Sequence, residues 1–568
     1  MDFNKFLNVL EIKEEYQIKD ALFKVLFSNQ KDVFLDKLIK SGFDVNKDEI
    51  REIFENELAN RKTLKQDYTP SCICKLISCL CDKQQTVLDI CGGVGSLSIQ
   101  TFIDGNSNNL VIEELSDVSI SLLLLNLSIR NIEATVYQKD VLTQEIFNVY
   151  RLTKSKKYSD IVLLDKNLIF NQYDCIISNP PYSLQWEPFN DERFWSYYLA
   201  PKAKADYAFV LDALYRINDN GSAYIILPHG VLFRGAAEEK IRKAMIQDNV
   251  IDCIIGLPEN LFLNTGIPVI ILCLKKNRQY KDVLFIDASK QFNKVGKQNV
   301  LSDDHIQKII NTYHERKTIE KYSKIVSSDE IKDNGYNLNI PRYIDSFEEK
   351  EPVDIKKSID EIIELENEIH DIDLELAKML VELQGNSEYE VSKQELIKHL
   401  TDRYVHDVSN ALNKIYKFMQ SEERLKNHIT VKLLDIAEIE RSKKNKVYKK
   451  GSSLIQLSAT RGQMEYLESD SSVDSKYGVI IPTADINPKY LYFMLTMNMP
   501  KFLSIYQTGL NIVPDVFKFM KLEIHTDASV QDKISKMLIE VENIEHEYSE
   551  EIEKWKDVKG YHLDNMFV

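Results

Sequence analysis

The chain has 568 residues, with 72 basic and 88 acidic side chains and a formal charge of −16. That balance excludes a uniformly basic nucleic-acid coat, and a hydrophobic content of 44% excludes global disorder. Fifteen of the sixteen excess negative charges fall in residues 351–382 and 540–553, so the near-neutral remainder can still carry a local basic surface.

Residues 1–64 read as helical, with Phe23, Leu26, Phe27, Phe34, Leu35 and Leu38 at helical spacing. The opening Met1–Lys5 lacks the basic-then-apolar layout of a signal peptide, and no run of 18 apolar residues occurs. A cytoplasmic protein with its eight cysteines reduced is therefore expected. Cys72, Cys74, Cys79 and Cys81 crowd together, but on a helix they spread around the axis rather than converging, so no metal site is expected.

From residue 86 short apolar runs alternate with helical stretches. Val87–Ile90, Leu110–Glu114, Tyr173–Ser178, Ala223–Pro228, Ile251–Leu257 and Val269–Leu274 read as buried strands. Such alternation predicts a mostly parallel sheet covered on both faces. Residues 352–385 read as a long amphipathic helix, its seam of Ile355, Ile359, Ile362, Ile369, Leu376, Leu380 and Leu383 interrupted by Glu366 and Asp373. A second helical stretch covers about 392–426. Residues 430–525 turn β-rich, and a last helix carries the stripe Ile534, Met537, Leu538, Val541 and Ile544.

Three motifs carry chemistry. In the first, the strand Val87–Ile90 enters the turn Cys91-Gly92-Gly93-Val94-Gly95 and then a helix, a layout that favours close ligand approach and negative groups. It lacks the Gly-Lys-Ser/Thr ending of an NTPase loop, and Asp89 at the strand end lies under the crevice of such a sheet. In the second, Glu113-Glu114 ends the next strand about 20 residues on, where an acid suits a ribose diol; two ordinary solvated glutamates read equally well. The third is Ser178-Asn179-Pro180-Pro181-Tyr182 after an apolar strand. Its prolines hold a rigid turn, leaving the Asn179 and Pro180 carbonyls as acceptors for an exocyclic amine, and Tyr182 offers a stacking face to a flipped base.

With these residues in order, the chain resembles the gamma-class N6-adenine DNA methyltransferases, whose hallmark is Asn/Asp-Pro-Pro-Tyr/Phe. It is similar in particular to modification (M) subunits of type I restriction-modification systems. Lys65–Pro70, Lys204–Phe209, Pro228–Gly235, Ile255–Phe262, Thr265–Pro268 and Asn337–Tyr343 carry the likeness over residues 60–345. The resemblance implies an α/β fold, a Rossmann-like S-adenosylmethionine-dependent methyltransferase sheet. It implies that Asn179, Pro180, Pro181 and Tyr182 form the target-adenine site. It also implies that Asp89, Gly92, Gly93 and Gly95 frame the S-adenosylmethionine cofactor, that Glu114 binds its ribose, that Asp140 faces its adenine, and that Tyr68, Thr69 and Pro70 close over its methionine end. The glycine turn departs from the family's usual Gly-Thr/Ser-Gly-Gly, and the N-terminal helices are short for it. His229 reads as structural rather than as a general base.

Beyond the arm, Lys432–Ile439, Tyr490–Leu495 and Gly509–Ile512 look like landmarks of a target-recognition domain, and the closing helix from Asp532 resembles the spacer of specificity (S) subunits. The segments expected are an N-terminal helical region (1–64), a catalytic domain (65–345), a helical arm (346–428), an α+β target-recognition-like module (429–530) and a spacer-like helix (531–568). Within that module Arg441, Lys443, Lys444, Lys446, Lys449 and Lys450 are candidate phosphate contacts. The resemblance implies a restriction-system DNA-binding transferase that methylates adenine N6 in double-stranded DNA. Expected partners are a second copy or specificity and restriction subunits, with no membrane. A methyltransferase for RNA or protein glutamine, or a non-catalytic binding remnant, is the alternative.

Overall fold

The computed structural model describes residues 1–54, 69–83, 85–166, 172–262, 266–347, 354–384, 387–402, 407–421, 428–458, 462–507 and 511–566. They form two compact units, Met1–Ser346 and Phe347–Val568. Among them no helix is long and apolar enough to cross a membrane. Tyr68, the upstream residues 65–67, Thr265, Gly509 and Leu510 lie outside the described residues.

The first unit is built on an eleven-stranded sheet. Its strands are β1 (Gln85–Ile90), β2 (Ser107–Glu114), β3 (Ala134–Lys139), β4 (Ile146–Thr153), β5 (Asp160–Leu164), β6 (Tyr173–Ser178), β7 (Ile217–Pro228), β8 (Ile251–Gly256), β9 (Val269–Lys275) and β10 (Asp282–Asp287). The eleventh is β13 (Ser323–Ser327), after a separate hairpin of β11 (Asn293–Val295) and β12 (Gln298–Val300). The order is β13-β10-β8-β9-β7-β6-β1-β2-β3-β4-β5. The central run β3-β2-β1-β6-β7 is parallel throughout. Antiparallel pairs enter at the flanks, where β9 inserts between β7 and β8.

Successive residues of the central strands point to opposite faces, and both faces are apolar. Val87, Cys175 and Tyr224 join one buried layer, while Leu88, Ile176 and Ile225 join the other. The helices Ser96–Ile103 and Asp117–Ile129 cover the first face. The second of these is buried on every side, as a helix apolar all round must be. Its outer surface is sealed by the N-terminal helix Ile18–Leu26, whose Ile18, Leu22 and Leu26 are buried. The N-terminal helices therefore complete the catalytic unit's core. The strand order reverses at β1, which has β2 on one side and β6 on the other, so a crevice opens at the carboxyl ends of β1 and β6.

In the second unit the strands Ala437–Arg441, Tyr477–Pro482, Ser453–Gln456 and Met464–Tyr466 form a four-stranded antiparallel sheet over Tyr490, Leu491 and Leu495 of the helix Pro488–Tyr506. The arm helix spans Ile355–Glu382 and packs against two further helices, Ser387–Asp402 and Asp407–Met419, where the sequence pattern suggested one. Glu366 and Asp373, read as interruptions of the seam, are instead buried inside the helical bundle. The Glu366 carboxylate accepts the backbone N–H groups of Val408 and Ser409 at 3.1 and 3.2 Å, capping a helix that begins 41 residues away at Asp407.

Candidate active site

A cavity of about 360 Å³ opens at the crevice. Its lining brings together Gly92, Gly93, Glu114 and Asp140 with Thr69, Asn179, Pro180, Pro181 and Tyr182. Asp89, Gly95 and Pro70 are not among the lining residues, and neither is His229.

The glycine turn is shaped as much by the protein as by any ligand. A Cβ on Gly92 would sit 2.4 Å from Ile112 Cγ2 on β2. Gly95 has φ +91°, and a Cβ there would lie 2.6 Å from Leu123. These two glycines are demanded by internal packing and backbone conformation. Gly93 has nothing within 4 Å of its Cβ position and faces the cavity. Its N–H donates to Glu114 Oε2 at 2.9 Å, while Glu114 Oε1 accepts the Ser116 N–H at 2.8 Å. Glu114 is thereby pinned between the turn and the next loop, and burial raises its pKa. Asp140 Oδ1 accepts the Leu142 and Thr143 N–H groups at 2.8 and 3.3 Å, which closes the turn after β3.

Asp89 is wholly buried beneath the turn. Ser98 Oγ donates to its Oδ2 at 2.6 Å, and Oδ1 has no hydrogen-bond partner among the described residues. Burial, against the Ser98 hydrogen bond and with help from Glu114, pushes its carboxyl up to about 7. The folded state therefore binds this proton more tightly than the unfolded chain. The stability this contributes is complete below about pH 4 and is lost as pH rises towards 7. Asp89→Asn should remove that component. Urea denaturation at pH 5 and 7.5 should show a smaller loss of stability on alkalinisation in the variant than in the parent.

The neighbouring acid on β2 has a different role. Glu113 is buried in an ion network: Arg216 donates to both its oxygens at 2.7 and 2.8 Å, and Lys139 donates at 3.0 Å. Burial would raise its pKa, but the two cations outweigh it and hold the carboxyl at about 2. Asp212 extends the network to Arg193 at 2.9 Å.

The loop after β6 starts with Ser178, whose hydroxyl donates to the Ile90 carbonyl of β1 at 2.6 Å. Asn179 Nδ2 donates to Thr69 Oγ1 at 3.0 Å, and the Tyr182 hydroxyl donates to Asn179 Oδ1 at 2.8 Å. Phe262 meets the Tyr182 ring edge-on with centroids 6.2 Å apart. Past Tyr182 the backbone turns through Ser183 (φ +52°), whose N–H donates to Asp206 Oδ1 at 2.8 Å. Asp206 also binds Arg234 at 2.5 Å, and Tyr207 donates to the Val231 carbonyl at 2.9 Å. The segments Lys204–Phe209 and Pro228–Gly235 thus brace the Asn-Pro-Pro-Tyr turn rather than line the cavity. His229 packs edge-on against Phe233, with its imidazole pKa lowered by burial.

Sequence reasoning missed Lys139, Leu115, Trp186 and Phe189 in the cavity wall. The aromatic pair closely following Tyr182 was the available signal. In the other unit, Lys443 and Lys446 both pair with Glu440, held at about 2 by these lysines, and Lys449 pairs with Asp470 at 2.6 Å. Arg441 donates to the Ser475 carbonyl at 3.2 Å. Lys444 and Lys450 have no side-chain ion pair among the described residues.

Residues 46–352 match the N-6 DNA Methylase family. The Type I restriction enzyme MpnII methylase subunit of Mycoplasma pneumoniae is 32% identical over 388 residues, covering 64% of this chain and 70% of that one. The Type I restriction enzyme MjaVIII methylase subunit of Methanocaldococcus jannaschii is 34% identical over 322 residues, 53% of each chain. The crystal structure of a type I restriction-modification system methyltransferase subunit from Streptococcus thermophilus is 33% identical, with a TM-score of 0.46 over 60% of this chain and 76% of that one.

Proposed function

This chain belongs to the N-6 DNA methylase family, and from that premise we propose that it transfers a methyl group from S-adenosylmethionine to N6 of an adenine extruded from duplex DNA. The reading rests on one observation: a single cavity is lined both by Gly92, Gly93, Glu114 and Asp140 and by Asn179, Pro180 and Tyr182.

The residues fit the cofactor. The cavity volume is in the range of ligand pockets, about 300–1,000 Å³. Glu114 is fixed in place with carboxylate lone pairs available to a diol, and Gly93 leaves open space beside it. When bound, S-adenosylmethionine supplies an electrophilic sulfonium methyl. Glu114 holds the ribose, and Asp140 receives the adenine end. Asn179 Oδ1 and the Pro180 carbonyl accept the N6 hydrogens of the target base and orient its lone pair. Tyr182, backed by Phe262, stacks on the base, offsetting an unstacking cost of a few kcal/mol. For this the Tyr182 hydroxyl gives up Asn179 Oδ1 to the base. Catalysis is chiefly orientation and preorganised hydrogen bonding.

Thr69 is a positioning residue for this step, since its Oγ1 holds the Asn179 amide with Oδ1 presented to the base. Thr69→Val should lower turnover about 3- to 10-fold, the worth of one hydrogen bond, with cofactor affinity changed far less. Thr69→Ser should restore turnover.

The chain acts as the modification component of a type I restriction-modification system, with separate specificity and restriction subunits as partners. The module 429–530 adds DNA contact, with Lys444 and Lys450 its most available cations. Incubating plasmid DNA, RNA and protein separately with labelled cofactor tests the reading. N6-methyladenine in DNA supports it, and label confined to RNA or protein overturns it.

A further inference from the structure

The hairpin of β11 and β12 follows β10 and stands on the same rim of the sheet as the cavity. β10 runs parallel to β8, and β8 shares the direction of β7 because β9 lies antiparallel to both. β7 in turn is parallel to β6, and β6 to β1, so the carboxyl ends of β1, β6, β8 and β10 all point the same way. A two-stranded hairpin is marginal in water by itself, and here three hydrogen bonds tie it down. The Asn299 N–H donates to the Asn260 carbonyl at 3.0 Å, Asn299 Nδ2 to the Glu259 carbonyl at 2.8 Å, and Gln298 Nε2 to the Leu261 carbonyl at 3.3 Å. The next residue, Phe262, is the ring that meets Tyr182. On the exit side Asp303 binds Lys75 at 2.7 Å, on the helix Ser71–Leu80 that begins just past Thr69. The hairpin is thus fixed to the two segments that touch Asn179 and Tyr182.

Its tip carries charge that the protein does not use internally. Residues 288–302 contain Lys290, Lys294 and Lys297 and no acidic side chain, in a chain of net charge −16. Lys294 and Lys297 are exposed and have no ion pair among the described residues. Val295 between them is 62% exposed. We propose that this hairpin grips the target duplex: Lys294 and Lys297 each bind a backbone phosphate beside the extruded adenine, and Val295 rests against the groove wall. A two-stranded ribbon fits the major groove of B-DNA. Lysine is a point charge without a bidentate fork, and Gln298 and Asn299 are occupied by the tether. The hairpin therefore positions the duplex and reads no base sequence. This role rests on the reading of duplex DNA as substrate, and goes beyond it by naming the element of the catalytic unit that holds the backbone.

The test uses the full chain and a labelled duplex of about 30 base pairs, with fluorescence anisotropy read between about 50 and 200 mM salt. Lys294→Gln with Lys297→Gln should weaken binding about 10-fold or more. It should also reduce the slope of log K against log salt by about 2, since each phosphate contact contributes about 0.9. Arginine at both positions should restore affinity and slope. Because both side chains are exposed, S-adenosylmethionine binding should be unchanged and the melting temperature should stay within about 2 °C. Affinity and slope unchanged in the glutamine variant, with the parent binding the duplex, overturn the hairpin's role and leave the methyltransferase reading standing. A fall in affinity with the slope unchanged overturns it too, because the lysines would then act structurally. Failure of the parent to bind duplex DNA overturns the reading of DNA as substrate, and the hairpin's role with it.

Discussion

Asn179→Ala should reduce methyl transfer about 10²- to 10³-fold or more, the effect of removing a preorganised group aimed at the reacting atoms. S-adenosylmethionine binding should remain measurable, because Gly93, Glu114 and Asp140 are held by contacts that do not involve Asn179. Asn179→Asp should retain substantial activity. It keeps the Oδ1 acceptor, and the Thr69 hydroxyl, which accepts from the native amide, can rotate to donate to the second carboxylate oxygen instead. Counting N6-methyladenine in treated DNA, alongside equilibrium binding of the cofactor, checks both variants. Undiminished methylation by Asn179→Ala would remove Asn179 from the site.

Arg216→Ala should cost about 3–5 kcal/mol, the penalty for breaking a buried ion network by deleting one partner. The guanidinium binds Glu113 through two nitrogens and Asp212 through one, and all three residues are buried. The variant would leave Glu113 with Lys139 alone and Asp212 with Arg193. The pH dependence is specific. Glu113 is held at about 2, against an ordinary value of 4.5, so its stabilisation is complete above about pH 4.5 and is lost as pH falls towards 2. Without Arg216 the carboxyl should take up its proton at a higher pH, and acid unfolding of the catalytic unit should begin correspondingly earlier. Urea denaturation at pH 7 and at pH 4 measures both effects. Cofactor binding should suffer as well, because Glu113 and Lys139 form part of the cavity wall beside Glu114 and Asp140.

How far the site could be read in advance depended on how local its chemistry is. The Asn179–Tyr182 turn was legible because two prolines after a buried strand constrain the backbone over four residues. The glycine turn was legible as a turn, but its cause was not. Gly92 is required by Ile112 on β2 and Gly95 by Leu123, contacts made only once β1 and β2 pair. Glu113 and Glu114 could not be told apart by position. Pleating sends one into a network with Arg216, 103 residues away, and leaves the other hydrogen-bonded to Gly93. Asp89 was expected to frame the cofactor; it sits under the turn and outside the cavity lining. The basic run 441–450 looked like six available cations. Glu440 and Asp470 engage three of them, and the latter reaches its lysine from 21 residues away.

The sequence by itself determined the strand–turn–helix units, the order of the motifs and the turn that presents Asn179, because hydrophobic period, glycine and proline act over a few residues. It also determined that the negative charge is concentrated on two helices. Tertiary structure alone decided which groups converge. It buried Glu113, Glu366 and Asp373, which read as solvated or disruptive. It set the N-terminal helices over an otherwise exposed apolar helix, and it joined Thr69 to Asn179 across 110 residues. The reason is physical: a carboxylate or an apolar stripe takes its meaning from what desolvates it, and that neighbour is supplied by chain segments too distant for any local pattern to announce.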